Sequence, residues 1–227
     1  MDAGDYLARI AEGQVGTRSD LHSGRASLYG YLLATDASLA AFEPEWARTG
    51  FGSDIASRYH LLNSGGAGSA SRFRLLDTQP SPPDFQAIMR IHSWCAAFVD
   101  WCVMRLLMES PHATSLPLGM RPKTASAFGL LKWGKNSNCT VFDGNHSAPV
   151  RGDIAVFNFS HTGIVVQSGV GHFYSVEGNT TPGTGGNQGY LVARRMRAQV
   201  LLRGIVRLPP RDRLGDYNIS SRIAHTA

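Results

Sequence analysis

The chain has 227 residues, with 22 Lys and Arg against 17 Asp and Glu, a formal net charge of +5. Because 43% of residues are apolar and only 17% are charged, the composition excludes bulk disorder. No apolar run reaches the roughly 18 residues that a membrane span needs, so membrane insertion is not expected. The modest basic excess suits a polyanionic partner or simple solubility. Without dense Lys/Arg blocks and interleaved aromatics it does not favour nucleic-acid binding.

The start of the chain, from Met1 to Gly16, is acidic and lacks the apolar core of a signal peptide, so we expect no Sec-dependent export. The three cysteines do not suggest a disulfide framework. Cys95 and Cys102 are seven residues apart on one predicted helix, which separates them by about 10 Å. That exceeds the roughly 7 Å that a disulfide tolerates between Cα atoms, so free thiols are predicted.

Apolar periodicity predicts helices over residues 4–14, 94–109 and 124–133, the last closed by Gly134 as a C-cap. Residues 16–85 are harder to interpret. They contain a possible helix at 26–42 and a Gly/Ser-rich run, and they end at a proline cluster. We interpret 16–85 as an insertion within a single domain that spans residues 1–227, with a tail at 209–227.

The later part of the sequence changes to a period of two. Strands are predicted at 153–159, 162–167, 173–176 and 200–208, separated by short Gly-rich links at 169–171 and 182–189. Because helices come first and a meander of strands follows, the fold class is predicted as α+β, with the helices packed against an antiparallel sheet.

Cys95 lies in the first turn of the second predicted helix. Unpaired backbone N–H groups and the positive end of the helix dipole favour a thiolate there. Ala96 and Ala97 leave room for a substrate to approach. Taken alone, such a cysteine is more commonly a buried structural residue, so Cys95 by itself does not indicate catalysis.

His161 opens the strand at 162–167 and can therefore stand at the rim of the sheet. If a three-residue loop at 169–171 closes the hairpin, Asn179 lies opposite His161 and Glu177 flanks it on the same face. A two-residue loop would shift the register by one and turn both side chains away.

A cysteine, a histidine and a polar orienting residue, in that chain order, match the nucleophile–base–orienter arrangement of papain-like enzymes. The thiolate attacks a carbonyl, the imidazole holds and then donates the proton, and a carboxylate or amide fixes the imidazole tautomer. The backbone N–H of Cys95 is a natural oxyanion donor.

Five blocks follow one another along the chain. They are Trp94-Cys95-Ala96-Ala97-Phe98-Val99-Asp100-Trp101-Cys102, Thr124-Ala125-Ser126-Ala127 with Trp133-Gly134, Arg151-Gly152-Asp153-Ile154-Ala155-Val156-Phe157, His161-Thr162-Gly163-Ile164-Val165-Val166 and Glu177-Gly178-Asn179-Thr180. Together they resemble CHAP domains, the cysteine amidases and peptidases of the wider NlpC/P60 superfamily. The resemblance covers about residues 92–207, together with the first helix.

The resemblance implies a papain-like α+β fold and cleavage of an amide bond in peptidoglycan. Cys95 matches the family's nucleophile, His161 its base, Glu177 its third residue and Asn179 a further polar partner. NlpC/P60 proper usually has a second histidine in the third position, so this chain is nearer to CHAP. Thr162 stands where the family often has valine, a departure that leaves the chemistry intact.

Trp94 and Trp133 belong to the same blocks and are the predicted substrate-binding residues. Among the other candidates, His92 could compete as the base, although no orienting residue is in view. Cys102 is expected in the core, and Asp153 is expected to close a turn rather than to act in catalysis. No cofactor is expected and no metal site is predicted, since the histidines and cysteines lack ligand spacing.

The predicted function is therefore a peptidoglycan hydrolase that acts on the stem peptide or its crosslink. Two alternatives stay open: a papain-like protease or deamidase that acts on a host protein, and an inert wall-binding module. Without a Sec signal or a wall-binding repeat, the chain looks like a lysin or an antibacterial effector of type VI secretion. Such an effector is made in the cytoplasm and acts in the target-cell periplasm, with a cognate immunity protein as a possible partner.

Overall fold

The computed structural model describes residues 1–18, 30–31, 34, 93–144, 147–181 and 189–211. The predicted helix at 26–42, the 16–85 insertion and the 209–227 tail lie almost wholly outside these residues, and so stay predictions.

Three α-helices occur in the described part of the chain: α1 (Ala3–Glu12), α2 (Cys95–Glu109) and α3 (Ala127–Asn136). Asp2 caps α1 by accepting the Asp5 N–H at 2.8 Å, and Ser126 caps α3 by accepting the Gly129 N–H at 3.2 Å. Twelve of the 15 residues of α2 are buried, so this helix is the centre of the helical layer. Within the described residues, no helix is both long and apolar enough to cross a membrane.

The sequence predicts that Gly134 ends the third helix, and the structure shows that this prediction is wrong. The helix runs two residues further, to Asn136. A Cβ atom on Gly134 would lie 2.6 Å from a methyl group of Val206 and 3.0 Å from one of Val141. The glycine is therefore there to let α3 approach the sheet, not to cap the helix.

The described strands form one antiparallel sheet in the order β1-β6-β2-β3-β4-β5. They are β1 (Thr140–Asp143), β2 (Ile154–Phe157), β3 (Thr162–Ser168), β4 (His172–Thr180), β5 (Leu191–Ala198) and β6 (Leu202–Arg207). Short 3-10 helices lie at Leu118–Met120 and Gln199–Leu201. The predicted α+β class is confirmed. The two strands at the sheet edges, β1 and β5, were not predicted, because β1 lies in a polar stretch and β5 carries three arginines.

Side chains on the two faces of the sheet pack into two separate hydrophobic cores. Helices α1 and α2 pack against β3 and β4, while α3 packs against β1, β2 and β6. The face under the helices contributes aliphatic side chains such as Ile154, Ile164 and Val176. The opposite face carries a second cluster of Ala155, Phe157, Val165, Phe173, Leu202 and Ile205.

The hairpin between β3 and β4 has the predicted register next to the site, but its turn differs from the predicted one. Its turn has two residues, Val170 and Gly171, because the Gly169 N–H donates to the His172 carbonyl at 2.9 Å. The predicted three-residue loop is therefore wrong. A bulge at Val166 then shifts the pairing by one residue, so that Ile164 faces Val176 as predicted. Without this bulge the turn would have directed Glu177 to the other face of the sheet.

Candidate active site

The first turn of α2 presents Cys95. Its N-cap residue, Trp94, makes no side-chain capping hydrogen bond. The first bond of the helix runs from the Phe98 N–H to the Trp94 carbonyl at 3.0 Å. The N–H groups of the first three helical residues, Cys95 among them, therefore have no acceptor within the helix. They provide positive charge density beside the thiol.

A glycine brings the strand that carries Glu177 into contact with this helix. A Cβ atom on Gly178 would lie 2.7 Å from Cβ of Phe98 and 2.8 Å from the Trp94 ring. Gly163 has a similar role beside Glu177, since its Cβ atom would lie 2.6 Å from the Glu177 Cγ atom. These two glycines allow α2, β3 and β4 to converge.

His161 and Glu177 form a buried pair at this convergence. The Nε2 atom of His161 lies 3.0 Å from Oε2 of Glu177, with the two side chains 2% and 0% exposed. The Cys95 side chain lies close enough to His161 to raise the pKa of the imidazole. Because Glu177 occupies Nε2, Nδ1 is the ring nitrogen that serves Cys95. The structure thus brings Cys95, His161 and Glu177 together.

The electrostatics of the pair favour its charged form. Burial lowers the pKa of His161, but hydrogen bonds to Cys95 and Glu177 and their negative charge outweigh it and raise the pKa to about 9. Burial likewise raises the pKa of Glu177, yet hydrogen bonds from Arg197 and His161 and their positive charge lower it to about 2. At neutral pH the pair is an imidazolium and a carboxylate.

Two residues that the sequence did not identify complete the surroundings of Glu177. Arg197 on β5 donates from Nε to Oε1 at 2.8 Å and from Nη2 to Oε2 at 2.6 Å. The Ser175 hydroxyl donates to Oε1 at 2.7 Å. The sequence alone does not set Arg197 apart, because only burial in the folded structure does so. On β5 the arginines at 195 and 197 are buried while Met196 between them is 63% exposed, the reverse of the usual alternation.

Two phenylalanine rings pack against both His161 and Arg197. The His161 ring stacks on Phe157 and Phe159 with centroids 6.0 and 6.1 Å away. The Arg197 guanidinium lies over the same two phenyl rings, at 5.3 and 5.4 Å. The Phe157–Phe159 stack therefore supports both cationic partners of Glu177.

The remaining predicted site residues have different surroundings. Asn179 is buried two residues beyond Glu177, with a positive φ of 55°, and its carbonyl accepts the Gly189 N–H at 3.0 Å. Trp94 is fully buried and stacks on Tyr31, which does not support its predicted substrate contact. Trp133 is half-buried on α3, and its indole donates to the Met120 carbonyl at 2.7 Å. The roles of Asn179 and of both tryptophans stay predictions.

Other candidates are structural. Cys102 is buried in the core, and burial raises the pKa of its thiol. Asp153 accepts the Val150 N–H and pairs with Arg207, as expected of a residue that closes a turn. All three cysteines are free thiols. In the described ranges, no three His, Cys, Asp or Glu side chains are grouped so as to hold a metal ion. The alternative base His92 lies outside the described residues.

Comparison with known proteins supports the resemblance to CHAP domains. The CHAP domain model matches residues 89–179, which include Cys95, His161, Glu177 and Asn179. The three helices and six-stranded antiparallel sheet of the described residues are consistent with a CHAP, papain-like fold. The match supports a CHAP-type family and, in general terms, peptidoglycan amidase or peptidase activity. No curated protein matches the chain.

Proposed function

We propose that this protein is a cysteine hydrolase that cleaves an amide bond in the stem peptide or crosslink of peptidoglycan. The carrying observation is the buried hydrogen bond between His161 and Glu177, with Cys95 interacting with the same imidazole, within the segment that matches the CHAP domain. Each group has the chemistry of its proposed role, and each comes from a different structural element.

The reaction follows from the positions of these groups. The Cys95 thiolate attacks the amide carbonyl carbon, and the electron pair moves to the carbonyl oxygen. The N–H of Cys95 at the start of α2 stabilises this oxyanion. The His161 imidazolium then protonates the leaving nitrogen as the C–N bond breaks, which leaves a thioester on Cys95. Neutral His161 next takes a proton from water, and the hydroxide attacks the thioester to release a carboxylic acid and the thiolate.

Glu177 keeps His161 competent in both steps. Its carboxylate accepts from Nε2, so Nδ1 is the nitrogen that exchanges the proton with Cys95 and with the leaving group. The low pKa of Glu177, about 2, keeps the carboxylate charged at neutral pH. A charged acceptor stabilises the imidazolium that the first step needs.

The net charge of +5 would assist binding to an anionic cell wall. We further propose that the protein acts as a lysin or as an antibacterial effector in the periplasm of a target cell. A type VI secretion system is the proposed delivery route, and an immunity protein would block the site in the producing cell. These proposals rest on the family resemblance and on the sequence expectations, not on the site geometry.

Digestion of purified sacculi tests the proposed activity. We expect the wild type to release soluble fragments and Cys95→Ala to lose at least about a thousandfold of that rate, because the nucleophile is removed. Cys139→Ala is the matched control, since it removes a half-buried free thiol outside the site and should retain the activity.

Mass spectrometry of the products then identifies the bond. Free stem peptides beside intact glycan strands indicate an amidase, whereas shortened or uncrosslinked muropeptides place the cut within the peptide. Intact sacculi with folded wild-type protein would contradict the proposal, and protein substrates would be tested next.

A further inference from the structure

We propose that Arg197 is a positioning residue for the catalytic groups: its guanidinium fixes the orientation and the charge of Glu177 and so controls the ion pair of Cys95 and His161. The inference rests on the proposed thiol mechanism and adds a residue that lies outside the matched CHAP segment. Two independent features of the structure carry it, the hydrogen bonding of Glu177 and the balance of charge in the site.

The hydrogen bonding fixes the rotation of the carboxylate. Arg197 binds both oxygens of Glu177, so two hydrogen bonds from one rigid guanidinium group limit the rotation of the carboxylate. Ser175 takes a further position on Oε1. The position that stays available on Oε2 is the one that receives His161 Nε2 at 3.0 Å. A change at Arg197 would therefore tilt the imidazole relative to Cys95 without touching either residue.

The charge balance makes Arg197 more than a structural support. In the thiolate–imidazolium form that the proposed mechanism uses, Cys95 and Glu177 are negative and His161 and Arg197 are positive, so these four groups sum to zero. Without Arg197 the same groups carry one net negative charge in a buried environment, which is costly. We expect the site to take up one proton in response, on the Cys95 thiolate, which leaves a thiol beside the His161 imidazolium and returns the sum of the charges to zero.

A second arginine faces this cluster and does not replace Arg197. Arg195 is buried on the same strand, and its Nη1 donates to the Thr180 hydroxyl at 3.1 Å and to the Thr181 carbonyl. Burial and the positive charge of Arg197 lower the pKa of Arg195, while the negative charge of Glu177 raises it. Arg195 thus contributes charge at a distance, whereas Arg197 binds the carboxylate directly.

The pH dependence of Cys95 alkylation by iodoacetamide tests the inference without any substrate. The full chain is labelled between pH 4 and 9, and modification of the Cys95 peptide is followed by mass spectrometry. We expect Arg197→Met to shift the onset of Cys95 reactivity upward by about 1 pH unit or more, as loss of a neighbouring opposite charge does. Arg197→Lys, which retains the charge but not the two-pronged contact, should restore most of the titration.

Arg194→Met is the matched control, because it makes the same change on the exposed side of β5 and should leave the titration unchanged. A variant that merely weakens folding would lower the yield of native protein without moving the onset. An unchanged onset in folded Arg197→Met would overturn the role of Arg197 alone. Absence of reactive Cys95 in the wild type throughout the range would overturn the proposed thiol mechanism, and this role with it.

Discussion

Two carboxylate–arginine pairs on this sheet have similar contacts but different roles. Asp153 binds Arg207 through both oxygens at 2.8 and 2.9 Å, and Glu177 binds Arg197 at 2.8 and 2.6 Å. In each pair the carboxylate is shielded from solvent and the guanidinium lies over aromatic rings. The contacts that the pairs share therefore do not reveal which of them is functional.

The group that each carboxylate binds in addition to its arginine distinguishes the two pairs. Asp153 accepts the backbone N–H of Val150 and so closes a turn. Glu177 instead contacts Nε2 of His161, a group that can gain and lose a proton. The arginines also differ in exposure, since Arg207 is 38% exposed and Arg197 only 8%. A buried ion pair offsets the free energy of its desolvation only if all of its polar atoms have hydrogen-bond partners. One of the partners of Glu177 is His161, the residue that it orients.

The largest expected effect comes from neutralising each carboxylate in turn. Glu177→Gln should reduce turnover on the order of a thousandfold, because the imidazolium loses its charged acceptor. It should also cost about 3 kcal/mol of unfolding free energy, because Arg197 remains buried without a counter-charge. Activity on sacculi and urea unfolding measure the two effects.

Asp153→Asn is the matched change in the other pair. It should cost only about 1–2 kcal/mol, since water can solvate the half-exposed Arg207. Turnover per folded molecule should stay at the wild-type level. Equal losses of turnover in the two variants would show that both pairs act only through folding, and the distinction drawn here would fail.

Local sequence rules were enough for the helical half of the site. The position of Cys95 at a helix start follows from a short-range pattern, and the α+β class follows from the change of periodicity. The strand half depends on pairing between distant residues. The contact of His161 with Glu177 needs the bulge at Val166. The two-residue turn alone would pair β3 and β4 one residue out of this register, and Glu177 would then lie on the other face of the sheet. No residue spacing in the sequence predicts that bulge.

Arg197 was missed for a related reason. Its alternation with apolar residues looks like that of an ordinary exposed strand, and only the pairing of β5 with β4 shows which face is buried. Gly134 illustrates the opposite error. A local rule interpreted it as a helix end, whereas packing against Val206 explains the glycine. In both cases a tertiary contact decided what the local pattern left open.

The pH dependence of stability should separate the titrating pair from the turn-closing one. Because the pKa of His161 is raised from 6.5 to about 9, its contribution to stability is complete below pH 6.5 and is lost as the pH rises through about 9. Because the pKa of Glu177 is lowered from 4.5 to about 2, its contribution is complete above pH 4.5 and is lost as the pH falls through about 2. The unfolding free energy from this pair should therefore be greatest between pH 4.5 and 6.5.

Urea unfolding across this range tests the assignment. The decline between pH 6.5 and 9 should be reduced in His161→Gln and retained in His172→Gln, which changes a histidine beside the hairpin turn. If His161→Gln kept the full decline, the ionisation responsible would lie elsewhere in the molecule.

The smallest expected effect concerns the hydroxyl groups beside the two pairs. Ser175 donates to Glu177 at 2.7 Å, and Ser168 donates to the Pro149 carbonyl, next to the turn that Asp153 closes, at 2.6 Å. Each change to alanine should cost about 1 kcal/mol of unfolding free energy. Only Ser175→Ala should also lower turnover, by a few-fold, because Arg197 still holds the carboxylate in place. If Ser175→Ala were as inactive as Glu177→Gln, the hydroxyl rather than the arginine would orient Glu177, and the two-pronged contact would be a consequence of the site's geometry instead of its cause.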